Sequence, residues 1–277
     1  EFQLGNDEEM PDEAEALRWV EKFIDPQRLD VKRIVSYSHN SLVAKVWRVG
    51  RVFVAGDAAH MMPPSAGQGM CSGVRDAINL AWKLAAVLSG HAKPELLESY
   101  ERERRPHYIQ ILKATLFFSE RLQANNAFQR WLRKFWLQTL GAIPPLQALF
   151  RYLTLRRPPL ESGFLHTASR LAGRHLPQVR VEWQGKSALL DDVLGYRFVL
   201  LVKTASLPES VVTWAARRNI GILRIGTDFT EPQNELANWM RAEKLDFVLA
   251  RPDRYIFSAG TINKFAQTQA SFDVWWN

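Results

Sequence analysis

Around residue 50 the apolar positions change their period twice. Arg51–Ala55 is apolar almost without alternation, and the run stops at Gly56-Asp57. That pattern predicts a strand buried on both faces. Pro63 and Pro64 can continue neither a helix nor a central strand, so the chain must loop there. After Gly67-Gln68-Gly69 the apolar residues return at helical spacing from Met70 to Leu84, and Ser89-Gly90 is a suitable end for that helix. Upstream, an acidic helix is predicted near Asp12–Phe23 and a strand near Lys32–Ser38. Downstream, residues 94–140 read as long helices opening on Pro94, a good first helical residue, with Pro106 breaking or kinking the path. The four prolines of Gly141–Pro159 predict a linker or turns.

From about His166 the period shortens again. A buried strand lies within Asp192–Lys203, around YRFVLLVK. Val211–Arg218 reads as a helix, Gly221–Ile225 as a strand and Glu235–Lys244 as a helix. Phe247–Arg251 and Tyr255–Phe257 read as strands around an Arg251–Arg254 turn. The order β-α-β-α-β-β predicts a small α/β layer.

Composition narrows the class. The 277 residues are 47% hydrophobic and 23% charged, as in a globular protein with room for two cores. No apolar run is long enough to span a bilayer. The single cysteine, Cys71, excludes an internal disulfide and suits a reducing, cytoplasmic setting; it reads as a small buried filler rather than a catalytic thiol. The net charge of +7 is uneven, with seven acids and no base in the first fifteen residues. Residues 101–160 carry eleven bases against three acids. This is read as a solvated helical face and not a nucleic-acid surface, because Phe117, Phe118, Trp131, Phe135 and Trp136 fall at helical spacing and look like core. The six histidines share no chelating spacing, and Ser65 lacks a nucleophile-elbow context.

The candidate chemistry is a carboxylate, Asp57, at a strand end, followed by a glycine loop leading into a helix N-terminus. Strand ends of α/β sheets bind ligands, glycines allow close backbone approach, and unpaired helical N–H groups favour negative charge. The stretch GRVFVAGDAAHMMPPSAGQGMCSGVRDAINLAWKL resembles the second FAD motif of the class A flavoprotein aromatic hydroxylases, whose core is GDAAH…PP…GQG(M/L)N(S/T)G…DA.NLAWKL. The resemblance implies that Gly56-Asp57 holds the ribityl chain of FAD. It makes Pro63, Gly67, Gln68, Gly69 and Met70 the flavin-facing loop, and gives the helix near Met70 the task of stabilising anionic reduced flavin. It gives His60 a structural or cofactor-contact role; Asp76 and Asn79, on the same helix, are read as capping or bracing it. YERERRPHY resembles the family's YExERRP signature, where Arg104 and Arg105 brace helix packing.

LLDDVLG and RPDRYIF resemble the thioredoxin-like C-terminal domain of the phenol-hydroxylase branch. No cysteine lies there, so dithiol exchange is excluded and packing or oligomerisation is implied. No GxGxxG segment, the grip for the ADP pyrophosphate, occurs anywhere in the chain. Many relatives carry an Arg near the position of Leu42, and that contact is not carried over.

The expected fold is therefore α/β: a partial, Rossmann-like FAD-binding unit with long helices, then a thioredoxin-like domain without CxxC. The expected divisions are 1–46, a remnant of a substrate-domain sheet; 47–140, the FAD unit and helices; 141–165, a linker; and 166–277, the thioredoxin-like domain. The chain is read as the C-terminal part of a longer hydroxylase of the 3-(3-hydroxyphenyl)propionate hydroxylase-like branch. The implied reaction uses FAD, NAD(P)H and O₂, passes through a flavin C4a-hydroperoxide and hydroxylates a phenolic ring. No residue is assigned a catalytic role and no metal is expected. Two alternatives stand beside it: another FAD oxygenation such as polyketide tailoring, and a non-catalytic folding or oligomerisation module. A homodimer or a complementing N-terminal chain is left open.

Overall fold

The computed structural model describes residues 11–25, 28–35, 40–63, 67–117 with the backbone on to 122, 131, 134, 139, 144–145, 157–203 and 206–277. The chain separates into two compact units, residues 1–40 and 41–277. In the first, α1 (Glu13–Val20) matches the predicted acidic helix, and Asp12 caps it by accepting the Glu15 amide at 2.8 Å. The strand predicted near Lys32–Ser38 is not formed over residues 32–35; the rest of that prediction, and the strand end at Glu1–Leu4, lie outside the described residues.

The second unit opens with short antiparallel pairs. β1 (Leu42–Val43) pairs with β4 (His60–Met61), and β2 (Arg48–Val49) with β3 (Val52–Phe53). Here the sequence reading is corrected. The strand expected over Arg51–Ala55 shrinks to two residues, and Val52 is exposed instead of buried. Arg51 serves the Gly50-Arg51 turn, and among the described residues β3 has only β2 beside it. Asp57 accordingly lies not at the edge of an open sheet but on a 3₁₀ turn, Gly56–Ala58. Two helices carry this unit: α2 (Gly69–Leu88), beginning at the predicted loop and ending at the predicted Ser89-Gly90, and α3 (Ser99–Leu122). Pro94 does open a helical turn, Pro94–Glu98.

Pro106 does not break α3, which runs through it. A proline at this point leaves the Arg102 carbonyl without its helical N–H, and the Ser162 hydroxyl donates to that oxygen at 2.9 Å instead. The predicted helices beyond Leu122 and most of the predicted linker lie outside the described residues. Phe117 and Trp131, expected in a core, are exposed; helical spacing there marks a face rather than its cover.

The C-terminal layer follows the predicted order closely. β7 (Val199–Val202), β8 (Gly221–Arg224), β9 (Phe247–Ala250) and β10 (Ile256–Gly260) form one sheet in the order β10-β9-β7-β8. β7 and β8 are parallel, and the other pairs antiparallel. The helices are α4 (Leu190–Leu194), α5 (Glu209–Arg217), α6 (Glu235–Ala242) and α7 (Phe265–Asp273). Unforeseen were α7 and the hairpin of β5 (Arg180–Trp183) and β6 (Lys186–Leu189), whose Gln184-Gly185 turn takes positive φ at both residues.

Strand alternation divides the core. Val199 and Leu201 face α4 and α6 with Leu190, Leu236 and Met240. Leu200 and Val202 face Trp214, Phe265 and Phe272, and with them Trp82 and Ala86 of α2. The loop-bearing helix is thus packed on the sheet by an apolar seam. Trp82, Phe164 and Phe198 meet there at ring-centroid distances of 5.3–5.8 Å, a spacing favourable for aromatic contact.

Candidate functional site

The predicted site residues fall on the Gly56–Ala58 turn and on the segment leading into α2. Asp57 is exposed on its 3₁₀ turn, and Gly56 adopts φ +58°. Gly56 lies against Gly73 of α2 so closely that a Cβ on Gly73 would stand 3.2 Å from the Gly56 Cα. A side chain at Gly73 would crowd the turn, and one at Gly56 would have to adopt the positive φ that glycine allows. Gly67, at φ +60°, has open space around it, and Met70 projects into solvent at 80% exposure. Pro63 and Gln68 are half-buried, while Pro64–Ala66 lie outside the described residues. α2 starts at Gly69 with no side-chain cap, so its first N–H groups are left without a side-chain acceptor. The turn that carries Asp57 packs against α2 at Gly73. Cys71 is half-buried rather than the buried filler expected.

Behind the rim is a group of charged residues that sequence reading had assigned only to bracing. Asp76, fully buried on α2, accepts the Gly56 amide at 3.2 Å, His60 Nε2 at 2.5 Å and Arg104 Nε at 2.8 Å. Burial alone would raise its carboxyl; the His60 hydrogen bond and the Arg104 charge outweigh this and hold it below the ordinary carboxylate range. One side chain on the helix therefore fixes the turn that carries Asp57. His60 is stacked on Tyr108 at 3.8 Å and is 2% exposed, a structural role. Helix α3 holds the segments that precede this turn: Tyr100 donates to the Val54 carbonyl at 2.9 Å, Glu101 accepts the Trp47 amide at 2.9 Å and Arg105 donates to the Ala44 carbonyl at 3.2 Å.

A second buried group joins α2 and α3 to the C-terminal sheet. Glu103 accepts from Asn79 at 2.7 Å, Lys83 at 2.8 Å and Arg251 at 2.7 Å, and takes the Phe164 amide at 2.8 Å. Asp253 pairs with Arg251 at 2.6 Å and accepts from Asn79 at 2.9 Å. The loop bearing Phe164 passes Glu103 only because residue 163 is glycine: at φ +104°, a Cβ there would collide with the Glu103 side chain. Burial works against the Glu103 charge, but Arg251 and Lys83 prevail and bring it down to about 2. Lys83 loses more to burial than Glu103 returns and falls to about 8. The group has the partners a desolvated charge needs.

His107 has its tautomer fixed by its neighbours. Arg104 donates to Nδ1 at 2.6 Å, and Nε2 donates to the Pro158 carbonyl at 3.0 Å. Burial and the Arg104 charge drive its pKa to about 3. Below the unfolded value of about 6.5 the unfolded chain therefore takes up a proton that the folded chain refuses. Stability is complete above that pH and falls as pH drops toward 3, by about 1.4 kcal/mol per unit for this ring alone; Glu103 adds to the fall below about 4.5. Thermal melts between pH 7 and 4 should show a steadily dropping midpoint, reduced in a His107→Gln variant; a midpoint flat across that range would refute the assignment.

Among the described residues no helix is long and apolar enough to cross a membrane, and no group of His, Cys, Asp and Glu could hold a metal ion. Comparison with known proteins agrees with the geometry. Residues 3–115 match the family described as FAD binding domain. A 3-(3-hydroxy-phenyl)propionate/3-hydroxycinnamic acid hydroxylase of Klebsiella pneumoniae is 32% identical over 84% of this chain and 46% of its own length. One from Mycolicibacterium gilvum is 32% identical over 91% of this chain and 49% of its own. The chain spans about half the length of the curated relatives it matches. Its fold superimposes on the flavin-dependent monooxygenase PieE, solved with FAD and substrate, with a TM-score of 0.76 at 23% identity, over 98% of this chain and 56% of that one.

Proposed function

From the match of residues 3–115 to the FAD binding domain family, we propose that the chain forms the flavin-ring side of an FAD-dependent monooxygenase acting on a phenolic or related aromatic substrate with NAD(P)H and O₂. The observation that carries this reading is the exposed Asp57 on a turn that Asp76 of α2 holds through the Gly56 amide, with the open Gly67 and the uncapped start of the same helix. The hydroxylase names of the relatives support the substrate class. FAD, when bound and reduced, supplies the activation of O₂ and the transfer of one oxygen atom to the ring.

The part taken by this chain's residues is positioning. Asp57 accepts hydrogen bonds from the ribityl hydroxyls. Gly67–Met70 present backbone N–H groups and the positive end of α2 to the electron-rich edge of the flavin, stabilising negative charge with no cationic side chain. Met70, exposed among the described residues, covers the ring and excludes water. No residue of the rim is asked to transfer a proton. We assign the C-terminal layer to a thioredoxin-like arrangement, supported by the order β10-β9-β7-β8. Without cysteine it serves to pack α2.

Titrating FAD into the chain and into an Asp57→Ala variant, followed by quenching of flavin fluorescence, tests the reading. Loss of a charge-assisted hydrogen bond should weaken binding by about 10- to 100-fold. Equal affinity would remove Asp57 from the site, and no binding by the unaltered chain would remove the site from this polypeptide.

A further inference from the structure

Between the β2–β3 hairpin and the first turns of α3 lies a cleft of about 410 Å³, lined by Arg48, Glu98, Glu101, Arg102, Arg105 and Pro106. Its size suits a small molecule, and no residue of the Gly56–Ala58 turn or of Gly67–Met70 lines it. The charged walls are fixed by bonds to separate segments. Arg48 Nε donates to the Gly50 carbonyl at 3.0 Å, and its guanidinium lies 5.3 Å from the centre of the Phe53 ring. Arg105 Nε donates to the Ala44 carbonyl at 3.2 Å, and Glu101 takes the Trp47 amide at 2.9 Å through Oε2. Arg102 is paired with Glu98, one turn back, at 2.9 Å.

The charges of the cleft do not balance. Glu98 and Arg102 cancel, which leaves Arg48 and Arg105 against Glu101 alone. Among the described residues neither of these two arginines is in an ion pair, and Arg48 Nη1 is buried with no hydrogen-bond partner. A bond from Nε to a carbonyl holds a guanidinium in place without neutralising it, and its other N–H groups remain to be met. All three residues are half-buried, so their charges are screened less than those of surface pairs. Two pinned guanidinium groups on one cleft match the oxygens of a phosphate. Glu101 repels a bare anion, but the oxygen it does not give to Trp47 can accept from a hydroxyl. A ligand carrying both groups answers the whole wall.

We propose that this cleft binds a phosphorylated small molecule that also carries a hydroxyl, of the sugar phosphate class. Arg48 and Arg105 hold the phosphate oxygens, and Glu101 accepts from the ligand hydroxyl. The site is separate from the turn that carries Asp57 and does not depend on flavin binding there.

Calorimetric titration of ribose 5-phosphate into the full chain, without FAD, provides the test. Saturable binding is expected, several-fold tighter than that of inorganic phosphate. Arg48→Gln should weaken both ligands by about tenfold or more, through loss of a charge-assisted hydrogen bond. Glu101→Gln keeps an acceptor for the Trp47 amide. It should erase the advantage of the sugar phosphate and tighten inorganic phosphate by removing the one like charge, opposite effects that a loss of structure would not produce. Asp57→Ala should bind ribose 5-phosphate as the unaltered chain does, whatever it does to FAD. Absence of saturable binding would overturn the proposal, as would undiminished binding in Arg48→Gln. So would a sugar phosphate advantage that survives in Glu101→Gln, which decides the matter should Arg48→Gln not fold. Loss of binding in Asp57→Ala would place the ligand at the flavin turn and overturn it too.

Discussion

Glu103→Gln is expected to destabilise the protein more than any other single change, by about 3–5 kcal/mol. The carboxylate accepts from Lys83 and Arg251, both fully buried, and from Asn79 and the Phe164 amide. Glutamine keeps the shape but leaves desolvated Lys83 without a carboxylate and Arg251 with Asp253 alone. For a chain of this size that loss lowers the melting midpoint by roughly 10 °C. The same residue ties α2 to the strand end at Arg251, so far-ultraviolet and intrinsic tryptophan signals should fall together, Trp82 lying at this junction. Adding Arg251→Met to Glu103→Gln should cost less than the sum of the two, because removing a cation relieves the imbalance. A loss under about 1 kcal/mol for Glu103→Gln would show that water enters the junction.

Asp76→Asn should damage both stability and cofactor binding, although Asp76 does not reach the rim. Its two oxygens hold Arg104 on one side and His60 with the Gly56 amide on the other. Asparagine can offer only one acceptor, so either Arg104 or the turn loses its partner. The expected stability loss is again about 3–5 kcal/mol. The distinguishing readout is FAD affinity. Asp76→Asn should weaken it by about tenfold or more by loosening the Gly56–Ala58 turn, while Glu103→Gln, equally destabilising but remote from that turn, should change it far less. Equal effects of the two variants on FAD affinity would mean that general stability, not the Asp76 clamp, governs the rim.

Much of the rim was legible because its signals are local. Gly56-Asp57, the proline pair and Gly67-Gln68-Gly69 are placed by backbone constraints acting over a few residues. α2 begins and ends where its apolar period and its glycines predict. The C-terminal sheet was legible for a similar reason: strands buried on both faces, such as Val199–Val202, read as unbroken apolar runs. The hairpin at Gln184-Gly185 escaped notice because its strands are short and partly polar.

The network behind the rim was not legible. Asn79 and Asp253 lie 174 residues apart, Glu103 and Arg251 148. Each, read singly, is a charged or polar residue that solvent could satisfy. One signal was present in the spacing of Asp76, Asn79 and Lys83, at intervals of three and four, which sets them on one face of α2 close to Trp82 and Ala86. Polar residues on a face that must be buried need partners, but nothing local says whose.

By itself, then, the sequence determined α2 with the glycine loop before it and the strand order of the C-terminal sheet, because backbone sterics and apolar periodicity act at short range. Tertiary structure alone decided that Asp76 clamps the turn and that Glu103 joins two cations from distant parts of the chain. Desolvated charges are stable only when their partners arrive together, and that arrival depends on packing among segments far apart in the chain.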